Sequence, residues 1–281
     1  MSKLRKSANT QLTLILVSCL SLSACAPSLS NHEQSKNKQT VDYSKWQDIH
    51  LDSLADMSIE ALRNRNYASS LEVAEMLGHA DRNSPYHLQH SKDGTAPYPT
   101  YVLAYSSDGN RIYSRVDIPA TAPPASGYPI VIFVHGWVGI DAAPDYNFSY
   151  TVDSSSATVI DKFVDAGYLV LSPALRGHGT VNEVPADGIE FLQAWDNASY
   201  ISPMFYAIDV LNLMEGIDDL ETLDWSDSGL ANEPAITINK NQLHVMGHSQ
   251  GADAALAVLA ISGEGSSIKN PASSGSLWSG C

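Results

Sequence analysis

Apolar and polar positions first fall into order at Tyr101–Ser106 and Arg111–Ile118, two strand-like runs. The tetrapeptide Ser107-Asp108-Gly109-Asn110 between them is a hairpin turn signal. Pro129–Val134 is a continuous apolar run, as expected of a strand buried on both faces, and Tyr168–Ser172 is another. Between them, Ser154–Ala166 reads as a helix with Val159, Ile160, Phe163 and Val164 on one face and Gly167 as its stop. Met204–Gly216 reads as a second amphipathic helix. Leu243–Met246 is a short strand, Gln250–Ile261 an alanine-rich helix, and Gly275–Cys281 resembles the start of a further strand. An antiparallel hairpin followed by alternating strand and helix predicts an α/β fold: a mostly parallel sheet covered on both faces. Upstream, Ser53–Gly78 has helical spacing through Ile59, Leu62, Leu71 and Met76, with Gly78 as its stop. This predicts a helical preface over 46–97, for packing or as a lid, ahead of a body over 98–281.

Composition narrows the partners. The chain has 281 residues, 44% hydrophobic and 17% charged, enough for one large domain. Its formal charge is −15. Residues 1–24 carry Lys3, Arg5 and Lys6 and no acid, so their removal leaves the rest more acidic still. Nucleic acid is excluded as a partner, because phosphate contacts need Lys and Arg clusters that are absent; the acidity reads as solubility. Met1–Gln11 is basic, and Leu12–Leu22 is an apolar core too short to span a bilayer comfortably. Leu22-Ser23-Ala24-Cys25 then resembles a bacterial lipobox, which implies cleavage after residue 24 and lipidation of Cys25. The expectation is a bacterial envelope protein held to the membrane by an acyl anchor, at the outer membrane if the cell is Gram-negative, since residue 26 is Ala. Residues 25–45 read as a polar, flexible tether. Cys19 leaves with the signal, so Cys25 and Cys281 form no disulfide framework. His79, His87 and His90 share a polar stretch without the spacing of a metal site.

The candidate chemistry lies at Gly247-His248-Ser249-Gln250-Gly251, a G-x-S-x-G between the last strand and the alanine-rich helix. A lone G-x-S-x-G arises by chance in roughly 10% of chains this long. Here it is in register with a strand ending in His135-Gly136 and a strand ending in Arg176-Gly177-His178-Gly179. In that order, these landmarks resemble α/β-hydrolases of the prolyl oligopeptidase type, including dipeptidyl- and acylaminoacyl-peptidases. The resemblance covers roughly residues 98–281.

It implies Ser249 as nucleophile and an acyl-enzyme from a small peptide or ester substrate. It implies the backbone N–H of Gln250, and that of Trp137, as oxyanion donors. No cofactor or metal is implied. His135 and His178 would fix loops rather than act as bases, Arg176 would order its loop through an ion pair, and His248 would point away from the Ser249 hydroxyl. The family places its acid and then its His after the nucleophile, yet no His follows His248, and Asp253 and Glu264 are not at the family's positions. The spacing of Ser266 and Lys269 matches a Ser-Lys dyad only by coincidence. The sequence is therefore expected to lack the acid and His of the triad, to stop before the last strands, and alone to be inactive. The competing reading is a non-catalytic or degenerate envelope lipoprotein that retains only the first part of the fold. Sheet strands lost from one edge would expose apolar surface, which favours a sequence that ends mid-sheet.

Overall fold

Asp108 and Gly109 take φ values of 55° and 81°, the left-handed pair that a tight two-residue hairpin needs. They close the hairpin at the front of a larger sheet. The computed structural model describes residues 57–76, 98–146, 148, 155–189, 202–225 and 236–278. Its strands are β1 (Leu71–Met76), β2 (Thr100–Ser107), β3 (Asn110–Asp117), β4 (Tyr128–Val134), β5 (Leu169–Pro173), β6 (Thr180–Val181), β7 (Val184–Pro185), β8 (Ile238–His248) and β9 (Ser274–Trp278). Its α-helices are α1 (Ile59–Arg63), α2 (Ser155–Asp165), α3 (Ser202–Gly216) and α4 (Gln250–Ile261). Seven strands form one sheet in the spatial order β1-β2-β3-β5-β4-β8-β9, and β6 and β7 make a separate ribbon. Pairings from β1 to β5 are antiparallel; β5, β4, β8 and β9 run parallel.

The parallel strands read as unbroken apolar runs because both their faces are covered. Val131, Phe133 and Val170 point to one side and pack with Ile160 and Val164 of α2. Ile130, Ile132, Val134, Leu171 and Val245 point to the other and pack with residues of α3 and α4. The two-residue alternation of a strand divides them in this way. Each such side chain contributes about 1.5–3 kcal/mol by leaving water.

Two expectations are corrected. Residues 53–78 do not form one helix: α1 takes one turn, and Leu71–Met76 is a strand on the outer edge of β2, with a bulge between Val73 and Glu75. The sheet therefore begins upstream of residue 98. The apolar spacing there fits a short strand as well as a helix, and the free edge of the hairpin decides between them. Secondly, α3 is not amphipathic. Phe205, Ile208, Val210, Leu211, Leu213 and Met214 are buried, and so are its polar residues Asp209 and Asn212. Asp209 receives the Arg176 guanidinium (Nη2–Oδ1 2.6 Å) and the Ser107 hydroxyl (2.7 Å), so a buried carboxylate is fully partnered. This pair ties the loop after β5 and the β2–β3 hairpin to α3, and it supplies the loop-ordering contact expected of Arg176.

At the far edge, β9 bonds to β8 and to no other strand among the described residues. Its residues from Ser274 to Leu277 are exposed.

Candidate active site

β8 delivers the chain into a turn too tight for ordinary residues. Ser249 sits between β8 and α4 with φ 53° and ψ −125°, a conformation that side-chain-bearing residues rarely take. The neighbouring glycines make room for it. A Cβ on Gly247 would overlap the carbonyl of Gly251, and a Cβ on Gly251 would overlap the carbonyls of Val134 and His135. The elbow is thus pressed against the end of β4, which only glycine at both positions permits.

The loop after β4 meets Ser249 at Gly136, where an added Cβ would lie 3.2 Å from Ser249 Cβ. From the other side, the Ser249 N–H donates to the Trp278 carbonyl of β9 at 2.8 Å. The Ser249 side chain makes no capping bond to α4. Gln250 is the first helical residue, so its N–H is among the donors that a helix leaves without an internal acceptor. Trp137 lies three residues beyond the end of β4, in the same loop as Gly136. Its side chain is 63% exposed, and its indole rests over Gly139.

The buried imidazoles serve the loops. His135 places Nδ1 2.6 Å from the Gly136 carbonyl and Nε2 3.0 Å from that of Ala174. Its ring stacks on Tyr146 at 4.8 Å. Burial lowers its pKa, against the opposing pull of those two carbonyls. His178 donates from Nδ1 to the Arg176 carbonyl at 2.8 Å. Burial, and then the nearby His135 ring at 5.4 Å, push its pKa down to about 3. Both rings are therefore neutral at pH 7. The His248 ring packs against that of Trp278, with ring centroids 4.6 Å apart.

Of the residues singled out in the sequence, Ser249, Gln250 and the Gly136–Trp137 loop converge. Among the described residues, no imidazole or carboxylate bonds the Ser249 hydroxyl. Lys269 pairs with Asp218. Cys25 and the His79–His90 stretch lie outside the described residues. Sequence reasoning missed the role of the Trp278 carbonyl. The signal was there in principle: Gly275–Cys281 reads as the next strand, and a parallel register places Trp278 opposite His248.

An antiparallel hairpin leading into crossed-over parallel strands, with a serine elbow between β8 and α4, defines the α/β-hydrolase fold. Among solved structures the chain is similar to the acetyl xylan esterase from Paenibacillus sp. R4, at 17% identity and a TM-score of 0.41, over 72% of this chain and 53% of that one. It is similar to Candida antarctica lipase A in its closed state, at 16% identity and a TM-score of 0.39, over 73% of this chain and 39% of that one. A third is Thermogutta terrifontis esterase 2 phosphorylated by paraoxon, at 13% identity and a TM-score of 0.36, over 61% of this chain and 54% of that one. The chain thus spans about half the length of these structures or less. No protein-family profile and no curated protein matches it.

Proposed function

We propose that the protein is an exported serine hydrolase that cleaves ester or peptide bonds through an acyl-enzyme on Ser249. One observation carries this reading. A serine placed for helix capping takes an extended φ and bonds a first-turn N–H through its hydroxyl. Ser249 does neither: it is held at φ 53° with no capping bond. Such backbone strain costs about 1–3 kcal/mol and persists where the surroundings impose it, as at reactive sites.

In the proposed reaction the Ser249 oxygen attacks the carbonyl carbon while its proton passes to a base outside the described residues. The carbonyl oxygen becomes an oxyanion. The N–H groups of Gln250 and Trp137 receive it, each donor worth about 3 kcal/mol in the transition state, and the N-terminal end of α4 adds a favourable field. Collapse expels the alcohol or amine with a proton, and water then releases the acid. Cys25 is the proposed acyl anchor, which places the enzyme at a bacterial envelope membrane.

The test uses the protein isolated from its native host. Ser249→Ala is expected to reduce hydrolysis of p-nitrophenyl esters and peptide p-nitroanilides to background. Undiminished hydrolysis of both would remove Ser249 from the mechanism. The ratio of the two rates in the unaltered protein separates esterase from peptidase.

A further inference from the structure

We propose that His135 is a positioning residue for the oxyanion hole: its Nδ1–H holds the Gly136 carbonyl and thereby aims the Trp137 N–H, which belongs to the same peptide unit. This role rests on the Ser249 reading, in which that N–H is one of two oxyanion donors. His135 Nδ1 lies 2.6 Å from the Gly136 carbonyl oxygen. No backbone N–H among the described residues donates to that oxygen. The Gly136–Trp137 peptide is trans, so its N–H points opposite to its C=O. Whatever fixes one direction fixes the other.

This peptide needs such a hold. At Gly136 an added Cβ would come 3.2 Å from Ser249 Cβ and 3.4 Å from the His248 carbonyl oxygen, so the close approach favours glycine. Without a Cβ, the same residue restricts its own φ and ψ very little. The Trp137 side chain, mostly exposed, gives the peptide little other anchorage. Left to itself, the peptide is free to rotate and turn its N–H away from Ser249. The ring that prevents this is itself fixed. It is buried, stacked on Tyr146 at 4.8 Å and edge-on to His178 at 5.4 Å.

A neutral imidazole has one N–H and one lone pair. His135 faces two carbonyls, that of Gly136 from Nδ1 and that of Ala174 from Nε2, the latter at 3.0 Å. It donates to one of them, and at the other a bare nitrogen confronts an oxygen. That repulsion is stronger at the shorter distance, so the proton belongs on Nδ1 and the Ala174 contact carries the cost. Burial lowers the pKa of the ring and keeps a second proton from relieving that contact at pH 7.

The experiment compares His135→Asn with His135→Gln in the protein isolated from its native host. The Asn amide N–H comes near the place of Nδ1–H, and the Gln amide N–H near that of Nε2. Both variants lose the stack on Tyr146 and one carbonyl contact, so urea unfolding is expected to show similar stability for the two. An oxyanion donor acts in the transition state. His135→Gln should therefore lower kcat for p-nitrophenyl acetate about 100-fold with KM unchanged, the smaller cost of losing one such donor. His135→Asn should keep most of kcat. Equal rates in the two variants, or the lower rate in His135→Asn, would overturn the proposal.

A second measurement needs neither activity nor a folded variant. In nitrogen-15 NMR of the unaltered protein, the His135 proton is expected on Nδ1, and a proton on Nε2 overturns the assignment. The two readings fail separately: loss of hydrolysis in Ser249→Ala, with equal rates in the two His135 variants, removes only the positioning role.

Discussion

Acidification is expected to unfold this protein in part through a single ring. His178 is fully buried, donates through Nδ1 to the Arg176 carbonyl, and has no hydrogen-bond partner for Nε2 among the described residues. Its pKa falls from the model-peptide 6.5 to about 3, first from burial and then from the His135 ring. Between those two values the unfolded chain binds a proton that the folded protein refuses. Stability contributed by the neutral ring is thus fully present above about pH 6.5, declines as pH falls, and is wholly lost near pH 3. At pH 5 the loss is about 2 kcal/mol, since each unit below 6.5 costs about 1.4 kcal/mol. With a urea slope of about 2 kcal/mol/M, the midpoint should drop by about 1 M between pH 7 and pH 5 on this account. His178→Asn keeps a donor near the Nδ1 position and cannot titrate. The assay is urea unfolding of both proteins at pH 7 and pH 5. The variant should lose about 2 kcal/mol less than the parent over that interval. Equal losses would refute the reasoning, and would mean that the ring is hydrated or that the acid sensitivity arises elsewhere.

Two further outcomes are expected. Ser249→Gly removes both the hydroxyl and the conformational penalty at φ 53°, so it should be about 1 kcal/mol more stable than Ser249→Ala in chemical denaturation; equal stability of the two would show that the elbow is unstrained. Cys25→Ser should move the protein from the membrane to the soluble fraction of its native host, and retention at the membrane would exclude an anchor at that residue.

Much of the sheet was legible because its signals are local. The β2–β3 turn needs left-handed residues and has Asp108-Gly109. β4 and β5 need apolar side chains on both faces, and their runs are unbroken. The elbow needs Gly247 and Gly251, whose Cβ-free backbones let a helix start against β4. β1 was not legible, since Leu71, Val73 and Met76 suit either period and only the free edge of β2 selects the strand. The burial of α3 was equally hidden. Asp209 and Asn212 look like a solvent face, but Asp209 meets Arg176, and the Asn212 amide donates to Ser107 at 3.1 Å, 105 residues away in the chain. The hydrogen bond between His244 Nδ1 and Ser274 Oγ escaped for the same reason, because the serine comes 30 residues later and reaches the ring through strand register.

By itself, then, the sequence determined the order of the main strands and helices from β2 onward, the turn at Asp108-Gly109 and the serine elbow, because each depends on the conformational limits of a few adjacent residues. Tertiary structure alone decided which strand borders which, that polar residues of α3 are buried, that the Trp278 carbonyl holds the Ser249 N–H, and which imidazole meets a hydroxyl. Those outcomes depend on contacts between segments whose proximity is set by burying apolar surface and by pairing backbone groups across the sheet, and no local pattern encodes them.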